Sequence, residues 1–141
     1  MERIVQGRPL VPGEAEAALL VTDEPLSFWG GYDYATGEII DRRHPLSGQI
    51  AAGRVLALPF TRGSSTTTAV LLEAVRCGTA PAAILLATPD PFLALGSIVA
   101  DEMYGRPVAV VALEPADFAA LRTGDWAQIG PDGAVKVVGG S

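Results

Sequence analysis

The segment richest in chemically useful groups is Leu58-Pro59-Phe60-Thr61-Arg62-Gly63-Ser64-Ser65-Thr66-Thr67-Thr68. An apolar run ends at Pro59, an Arg-Gly turn follows, and a hydroxyl-rich helix start comes next. The first N–H groups of a helix have no intrahelical partner and sit at the positive end of its dipole. Such a terminus attracts a carboxylate or phosphate, and it stabilises an alkoxide formed on a serine placed there. Arg62 adds a fixed cation whose planar fork matches a carboxylate. The same residues also make an ordinary helix cap, because Ser and Thr side chains compete for backbone hydrogen bonds at any helix start. Both readings stand on local chemistry. A Walker-type loop is excluded, since no Gly-Lys-Ser/Thr follows a glycine-rich run. A serine hydroxyl needs help to act as a base near neutral pH, and nothing else in the chain supplies it in an obvious way.

The second unusual segment is Ser27-Phe28-Trp29-Gly30-Gly31-Tyr32-Asp33-Tyr34-Ala35-Thr36-Gly37. Gly30 and Gly31 beside an aromatic permit close backbone approach to a ligand or another chain, and Asp33 can accept a hydrogen bond from a substrate hydroxyl or amine. The alternative is a β-turn with Trp29 and Tyr32 packed into the core. His44 is the only histidine. A Ser-His-Asp triad would have to use it, but its setting, Asp41-Arg42-Arg43-His44-Pro45, reads as a loop histidine with solvent or backbone partners. One histidine with no neighbouring cysteine gives too few ligands for a metal site in this chain. Cys77, beside Arg76 near a helix end, is expected to be a buried or half-buried bystander, because the negative end of the helix dipole disfavours a thiolate. Asp101, Glu102 and Glu73 read as solvated helix faces or an interface.

These residues must be positioned by short elements, because Gly and Pro punctuate the chain at short intervals. Ala18–Thr22 and Arg54–Pro59 read as buried strands. Between them Ser27 to Gly53 has too many turn residues for a helix and is expected to carry short strands, such as Glu38–Asp41, and a functional loop. After Pro59 the pattern alternates. Ser64 is an N-cap for a helix with Val70, Leu71, Ala74 and Val75 on one face, stopped by Gly78. Ala82–Thr88 is a strand buried on both faces. Asp90-Pro91 opens a helix that runs to about Tyr104 and closes at Gly105. Val108–Leu113 is the next buried strand, and Pro115–Leu121 a short helix. Trp126–Ile129 and Ala134–Val138, joined by Gly130-Pro131-Asp132-Gly133, form a terminal hairpin. The middle is β-α-β-α-β within an α/β chain, a parallel or mixed sheet with flanking helices, and the first third is mostly β.

The chain has 141 residues, 49% of them apolar, with 10 Lys+Arg against 16 Asp+Glu and a net charge of −6. Residues 1–141 suit a single domain, since a core of this size buries roughly 70% of the unfolded chain's surface. The acid excess gives no basic face to displace counterions, so nucleic acid is not an expected partner, and an anionic membrane surface is disfavoured for the same reason. A single cysteine excludes an internal disulfide framework and any all-cysteine cluster held by this chain. No apolar run approaches the roughly 20 residues of a membrane span, and the N-terminus carries no apolar core of a secretory signal. A cytoplasmic location is expected.

Taken together, several blocks resemble the swivelling-domain small subunit of the aconitase X family. They are Phe28-Trp29-Gly30-Gly31-Tyr32-Asp33, Thr36-Gly37-Glu38-Ile39-Ile40-Asp41, His44-Pro45-Leu46-Ser47-Gly48, Arg62-Gly63-Ser64-Ser65 and Leu71-Leu72-Glu73-Ala74. Gly78-Thr79-Ala80-Pro81-Ala82-Ala83, Pro89-Asp90-Pro91 and Tyr104-Gly105 extend the likeness, which runs from about Leu10 to Val111. The order and spacing of the blocks make it specific.

The resemblance implies a swivelling β/β/α fold like the mobile domain of aconitases. It also implies a large-subunit partner that carries an iron–sulfur cluster, no cofactor on this chain, and a hydro-lyase reaction on a small hydroxy acid. Known substrates in the family are cis-3-hydroxy-L-proline and mevalonate 5-phosphate. The family's proton acceptor falls on Ser64, with Arg62, Gly63, Ser65, Gly30, Gly31 and Asp33 expected around the substrate. The wider aconitase pattern continues Gly-Ser-Ser with Arg-Glu-His, whereas Thr66-Thr67-Thr68 stands here, so a citrate- or isopropylmalate-type substrate is not expected. Phe60-Thr61 and Ser65 also depart from the Gly-rich and Cys positions common in the family, which bears on pocket shape. An Ala- and Arg-rich composition of GC-rich bacterial character favours cis-3-hydroxy-L-proline. Mevalonate 5-phosphate is the second reading, and a non-catalytic gating module is a reading of another class. The chain is expected to fold alone and to be inactive alone.

Overall fold

The computed structural model describes residues 2–63 and 65–139. In chain order the strands and helices are β1 (Glu2–Gln6), β2 (Arg8–Val11), β3 (Ala15–Val21), β4 (Leu26–Ser27), β5 (Tyr32–Asp33), β6 (Glu38–Ile39), β7 (Val55–Leu58), β8 (Thr61–Arg62), α1 (Ser65–Cys77), β9 (Ala83–Leu86), α2 (Pro91–Tyr104), β10 (Ala109–Ala112), α3 (Pro115–Ala119), β11 (Trp126–Ile129) and β12 (Ala134–Val138).

Four apolar strands, β3, β7, β9 and β10, run parallel. Their residues alternate between two separate cores, as the two-residue period of a strand requires. Leu20, Leu56, Leu58, Ile84, Leu86 and Val110 face α1 and α2 and pack with Leu71, Ala74 and Leu93. Leu19, Val55, Ala57, Ala83, Leu85 and Val111 face the other way and pack with Phe118, Leu121, Ile129, Val135 and Val137. The second core is roofed by the antiparallel strands β1, β12 and β11. One strand layer, a second strand layer and a helix layer result.

The two strand layers are one eight-stranded sheet, ordered β1-β12-β11-β3-β7-β9-β10-β2, that turns back on itself. β3 passes between layers, pairing through Ala15–Ala18 with β11 and through Leu19–Val21 with β7. At the opposite side β1 and β2 lie on the two edges of the sheet yet are consecutive in sequence, joined at Gly7. A Cβ on Gly7 would lie 2.3 Å from Val111 Cγ1 and 2.8 Å from Leu113 Cδ2. Only glycine lets the chain turn that corner against the core.

The helix boundaries follow their punctuation. Asp90 caps α2, its side chain accepting from the N–H groups of Phe92 and Leu93, Pro91 occupies the first turn, and Gly105 closes the helix with a φ of 63°. These residues were legible as helix start and stop. Cys77, expected to be buried or half-buried, is exposed. The buried face of α1 runs through Val70, Leu71, Ala74 and Val75, and the next position on that face is 78, so position 77 falls outside it. Among the described residues no helix is long and apolar enough to cross a membrane.

Candidate active site

The parallel strands end on one side of the molecule, where open α/β sheets place ligands. Beyond β3 and β7 the chain continues into β4 and β8, which pair in parallel with Leu26 opposite Thr61 and Ser27 opposite Arg62. This two-rung ladder brings together the two segments singled out in the sequence, the Trp29–Asp33 loop and the Arg62–Ser65 turn. Ser64 itself lies outside the described residues.

The turn is tied to α2 by one buried carboxylate. Asp90, 4% exposed, accepts from Thr61 N–H at 2.8 Å through Oδ2, and the Thr61 hydroxyl donates to the same oxygen. Its Oδ1 accepts from Phe92 N–H at 3.1 Å and from Leu93 N–H at 3.3 Å. A second tie runs from the Thr68 hydroxyl to the Phe92 carbonyl at 2.8 Å. Asp90 thus acts both as the cap of α2 and as the anchor of the strand that presents Arg62. Only the cap was readable locally, because the Thr61 bond spans 29 residues.

Arg62 is exposed, and among the described residues its guanidinium makes no ion pair or hydrogen bond. Gly63 has a φ of 124°, a conformation that favours glycine. Ser65 opens α1 and is exposed, so it stands at the positive end of the helix. Thr67, two residues on, is fully buried, and among the described residues its hydroxyl has no hydrogen-bond partner.

Across the ladder, Gly30 is exposed with a φ of 76° and has open space around its Cα. Gly31 is different: a Cβ there would sit 2.1 Å from the Ser27 carbonyl, so the close approach that its hydrogen side chain permits is made by this chain's own backbone. Asp33 is half-buried, and one of its oxygens accepts from Ala35 N–H, two residues on, at 2.9 Å. Of the two aromatics that the β-turn alternative packs into the core, Tyr32 is buried, stacked on Phe28 with ring centroids 4.9 Å apart. Its hydroxyl donates to the Thr79 carbonyl at 2.7 Å, and burial pushes its pKa well above the ordinary value. Trp29 is 71% exposed and stands two residues beyond the Ser27–Arg62 rung.

His44 is buried with backbone partners. Its Nδ1 accepts from Leu46 N–H at 3.1 Å, and Nε2 faces the Glu24 carbonyl at 3.4 Å. With both nitrogens engaged, the ring braces its loop and leaves no nitrogen for a triad. Glu73 pairs with Arg76, whose hydrogen bond holds the carboxyl below its usual range. Among the described residues no group of three or more His, Cys, Asp or Glu is placed to hold a metal. A cavity of about 770 Å³ also opens at the strand ends, walled by Val21, Thr22, Pro59, Ala87 and Phe118, with Arg122 at its margin. No sequence signal marked it, since it arises from loops brought together only by the sheet.

A mixed sheet folded into two layers, helices on one side, and a hydroxyl-rich turn at the carboxyl ends of the parallel strands define a swivelling β/β/α domain. The family described as "Aconitase X swivel domain" matches residues 4–137, and the chain belongs to it. The crystal structure of Thermococcus kodakaraensis aconitase X in its holo-form is similar over 97% of this chain and 99% of that one, with a TM-score of 0.86 and 30% identity. The chain is 47% identical over 134 residues to cis-3-hydroxy-L-proline dehydratase of Pseudomonas aeruginosa, covering 95% of this chain and 23% of that protein. It is 40% identical over 136 residues to the phosphomevalonate dehydratase small subunit of Methanopyrus kandleri, covering 94% of this chain and 96% of that one. The chain therefore spans about a quarter of the first of these relatives and nearly all of the second.

Proposed function

We propose that this chain is the small, swivelling subunit of an aconitase X-type dehydratase acting on cis-3-hydroxy-L-proline, with Ser64 as proton acceptor. The observation that carries the reading is the β4–β8 ladder, which sets the Trp29–Asp33 loop beside a turn whose cation has no partner among the described residues. In this reading Arg62 and the start of α1 hold the substrate carboxylate. The proton on the carbon bearing that carboxylate passes to the alkoxide form of Ser64, and its C–H electron pair becomes the new double bond. The hydroxyl on the neighbouring carbon departs with its C–O electron pair and takes up one proton from solvent to become water, tautomerisation of the enamine gives Δ1-pyrroline-2-carboxylate, and Ser64 returns its proton to solvent. The resemblance implies an iron–sulfur cluster on the large subunit, a reading that suits a chain with a single cysteine. Exposed Phe60 flanks the turn in sequence, exposed Trp29 follows the strand across the ladder, and exposed Phe92 lies in the first turn of the α2 helix tied to it; together they offer that partner an apolar seat.

The choice of substrate leans on the 47% identity to the Pseudomonas aeruginosa enzyme. Mevalonate 5-phosphate is the second reading, favoured by the 40% identity to the Methanopyrus kandleri small subunit over almost the whole of both chains. Both are tested by co-expressing the chain with its large subunit and assaying the two dehydrations side by side. The higher kcat/KM identifies the substrate, and turnover of neither in a cluster-loaded complex overturns both. Ser64→Ala in that complex separates catalysis from gating. A proton acceptor requires loss of turnover with subunit pairing intact, whereas a gating module keeps turnover near normal.

A further inference from the structure

The hydroxyls around the Arg62–Ser65 turn are unequally used. Thr61 donates to Asp90 and Thr68 to the Phe92 carbonyl, so both are spent fixing the turn to α2. Thr67 lies between them on the buried face of α1, ahead of Val70, Leu71 and Ala74. It is 0% exposed, and among the described residues Oγ1 has no partner. A buried hydroxyl without a partner is destabilising, and valine would fill the same space without that cost. The hydroxyl also points to a definite place. A Cβ built on Gly63 would lie 3.4 Å from Thr67 Oγ1 and 3.5 Å from Thr66 Oγ1. Thr67 therefore sets an unused hydrogen-bonding group against the turn, beside a glycine whose φ of 124° is one that residues with side chains rarely adopt.

We propose that Thr67 is a positioning residue, whose hydroxyl hydrogen-bonds to the Arg62–Ser65 turn when an anionic hydroxy-acid substrate is bound and so holds the turn in its reactive geometry. The inference rests on the reading of that turn as the site of proton abstraction. A polar atom kept at a cost to stability and aimed at a candidate site is the pattern expected where activity and stability compete.

The test compares Thr67→Val, which keeps shape and removes the hydroxyl, with Thr67→Ser, which keeps the hydroxyl. Both are made in the complex with the large subunit and assayed on cis-3-hydroxy-L-proline and mevalonate 5-phosphate. Loss of one positioning hydrogen bond is expected to lower kcat of Thr67→Val about tenfold, with KM changed less than about threefold. Its Tm stays level or rises, and Thr67→Ser keeps kcat within about threefold of the parent. Hydrogen–deuterium exchange over residues 60–66 of the complex with substrate added gives a readout apart from turnover. It accelerates in Thr67→Val and not in Thr67→Ser. Unchanged kcat and unchanged exchange in Thr67→Val overturn the proposal, as does an equal loss of kcat and Tm in both variants, which marks a packing role. Ser64→Ala is run alongside. If it keeps full turnover, the reading of the turn fails, and if it is inactive while Thr67→Val is fully active, only the role of Thr67 fails.

Discussion

Asp90 is the residue whose removal most directly separates the site from the fold. Its two oxygens accept from Thr61 N–H, the Thr61 hydroxyl, Phe92 N–H and Leu93 N–H, all from a position 4% exposed. In Asp90→Ala the cap of α2 is lost, at about 1 kcal/mol. The Thr61 N–H is left buried with no acceptor, at a further 1–3 kcal/mol or so. A total near 3 kcal/mol, at roughly 3 °C per kcal/mol for a domain of this length, lowers Tm by about 10 °C. Asp90→Asn keeps one carbonyl oxygen for the cap but turns an amide N–H towards Thr61 N–H, so the expected loss is about half as large. The exposed Asp101→Asn serves as control and stays within about 0.5 kcal/mol. Urea unfolding of the three variants measures these differences as shifts in midpoint at constant m-value. In the complex, Asp90→Asn should also lose turnover at temperatures where it is fully folded, because the strand presenting Arg62 has lost its anchor. A fall in Tm of less than about 3 °C for Asp90→Ala would refute the assignment of Asp90 as the tie between turn and helix.

Three further outcomes follow from the same geometry. Gly31→Ala places a Cβ 2.1 Å from the Ser27 carbonyl and should destabilise by about 1–3 kcal/mol, read in urea, while lowering turnover of the complex because the ladder to Arg62 is pushed apart. Tyr32 gives a pH dependence of definite sign. Burial raises its folded pKa above that of the unfolded chain, so the folded state retains a proton that the unfolded state loses. Its contribution is complete below about pH 10 and is lost as pH rises from there towards the folded pKa, at up to about 1.4 kcal/mol per pH unit. Tyr32→Phe should abolish that slope in urea titrations between about pH 9 and pH 11, and a slope unchanged by the substitution would contradict the assignment. Gly7→Ala, whose Cβ would lie 2.3 Å from Val111 Cγ1, should also lower the urea midpoint by about 1–3 kcal/mol of stability.

What could be read from the sequence was local. The alternation after Pro59, the Asp90-Pro91 start, the Gly105 stop and the terminal hairpin are each encoded within a few residues, and the structure places them nearly where they were expected. β1 and β2 left no such trace. β1 is mostly exposed, with only Val5 buried, and the two strands pair with partners more than 90 residues away, β12 on one edge and β10 on the other. Ala15–Ala17 joined β3 for a similar reason, because their pairing with β11 lies at the far end of the chain. For the site, the chemistry of Arg62 and the oddity of the Trp29–Asp33 loop were visible from residue types. Their juxtaposition was not, because a ladder of two residues carries no periodicity. Trp29 shows the limit of composition: a large aromatic between a buried Phe28 and a buried Tyr32 lies in the solvent because the turn at Gly30 and Gly31 rotates it outward.

The distribution of spent and unspent groups around the turn bears on how half of an active site can be built on a small domain. Both apolar cores lie between the layers, and neither depends on Arg62, Gly63 or Ser65 for packing. Fixing the turn falls instead to a few polar groups with their bonding used up, Asp90, Thr61 and Thr68, while Arg62 and Thr67 keep theirs in hand. A rigid frame with unspent valence is what transition-state binding asks of a site, since interactions already satisfied in the resting state contribute nothing to the chemical step. If that account holds, substitutions at the spent groups should cost stability and activity together, and substitutions at the unspent ones activity alone. Plotting Tm against kcat for Asp90→Asn, Thr68→Val, Arg62→Gln and Thr67→Val in the complex tests the partition. Asp90→Asn and Thr68→Val should fall along both axes, whereas Arg62→Gln and Thr67→Val should fall along kcat only. A single line through all four would mean that the turn is merely part of the fold.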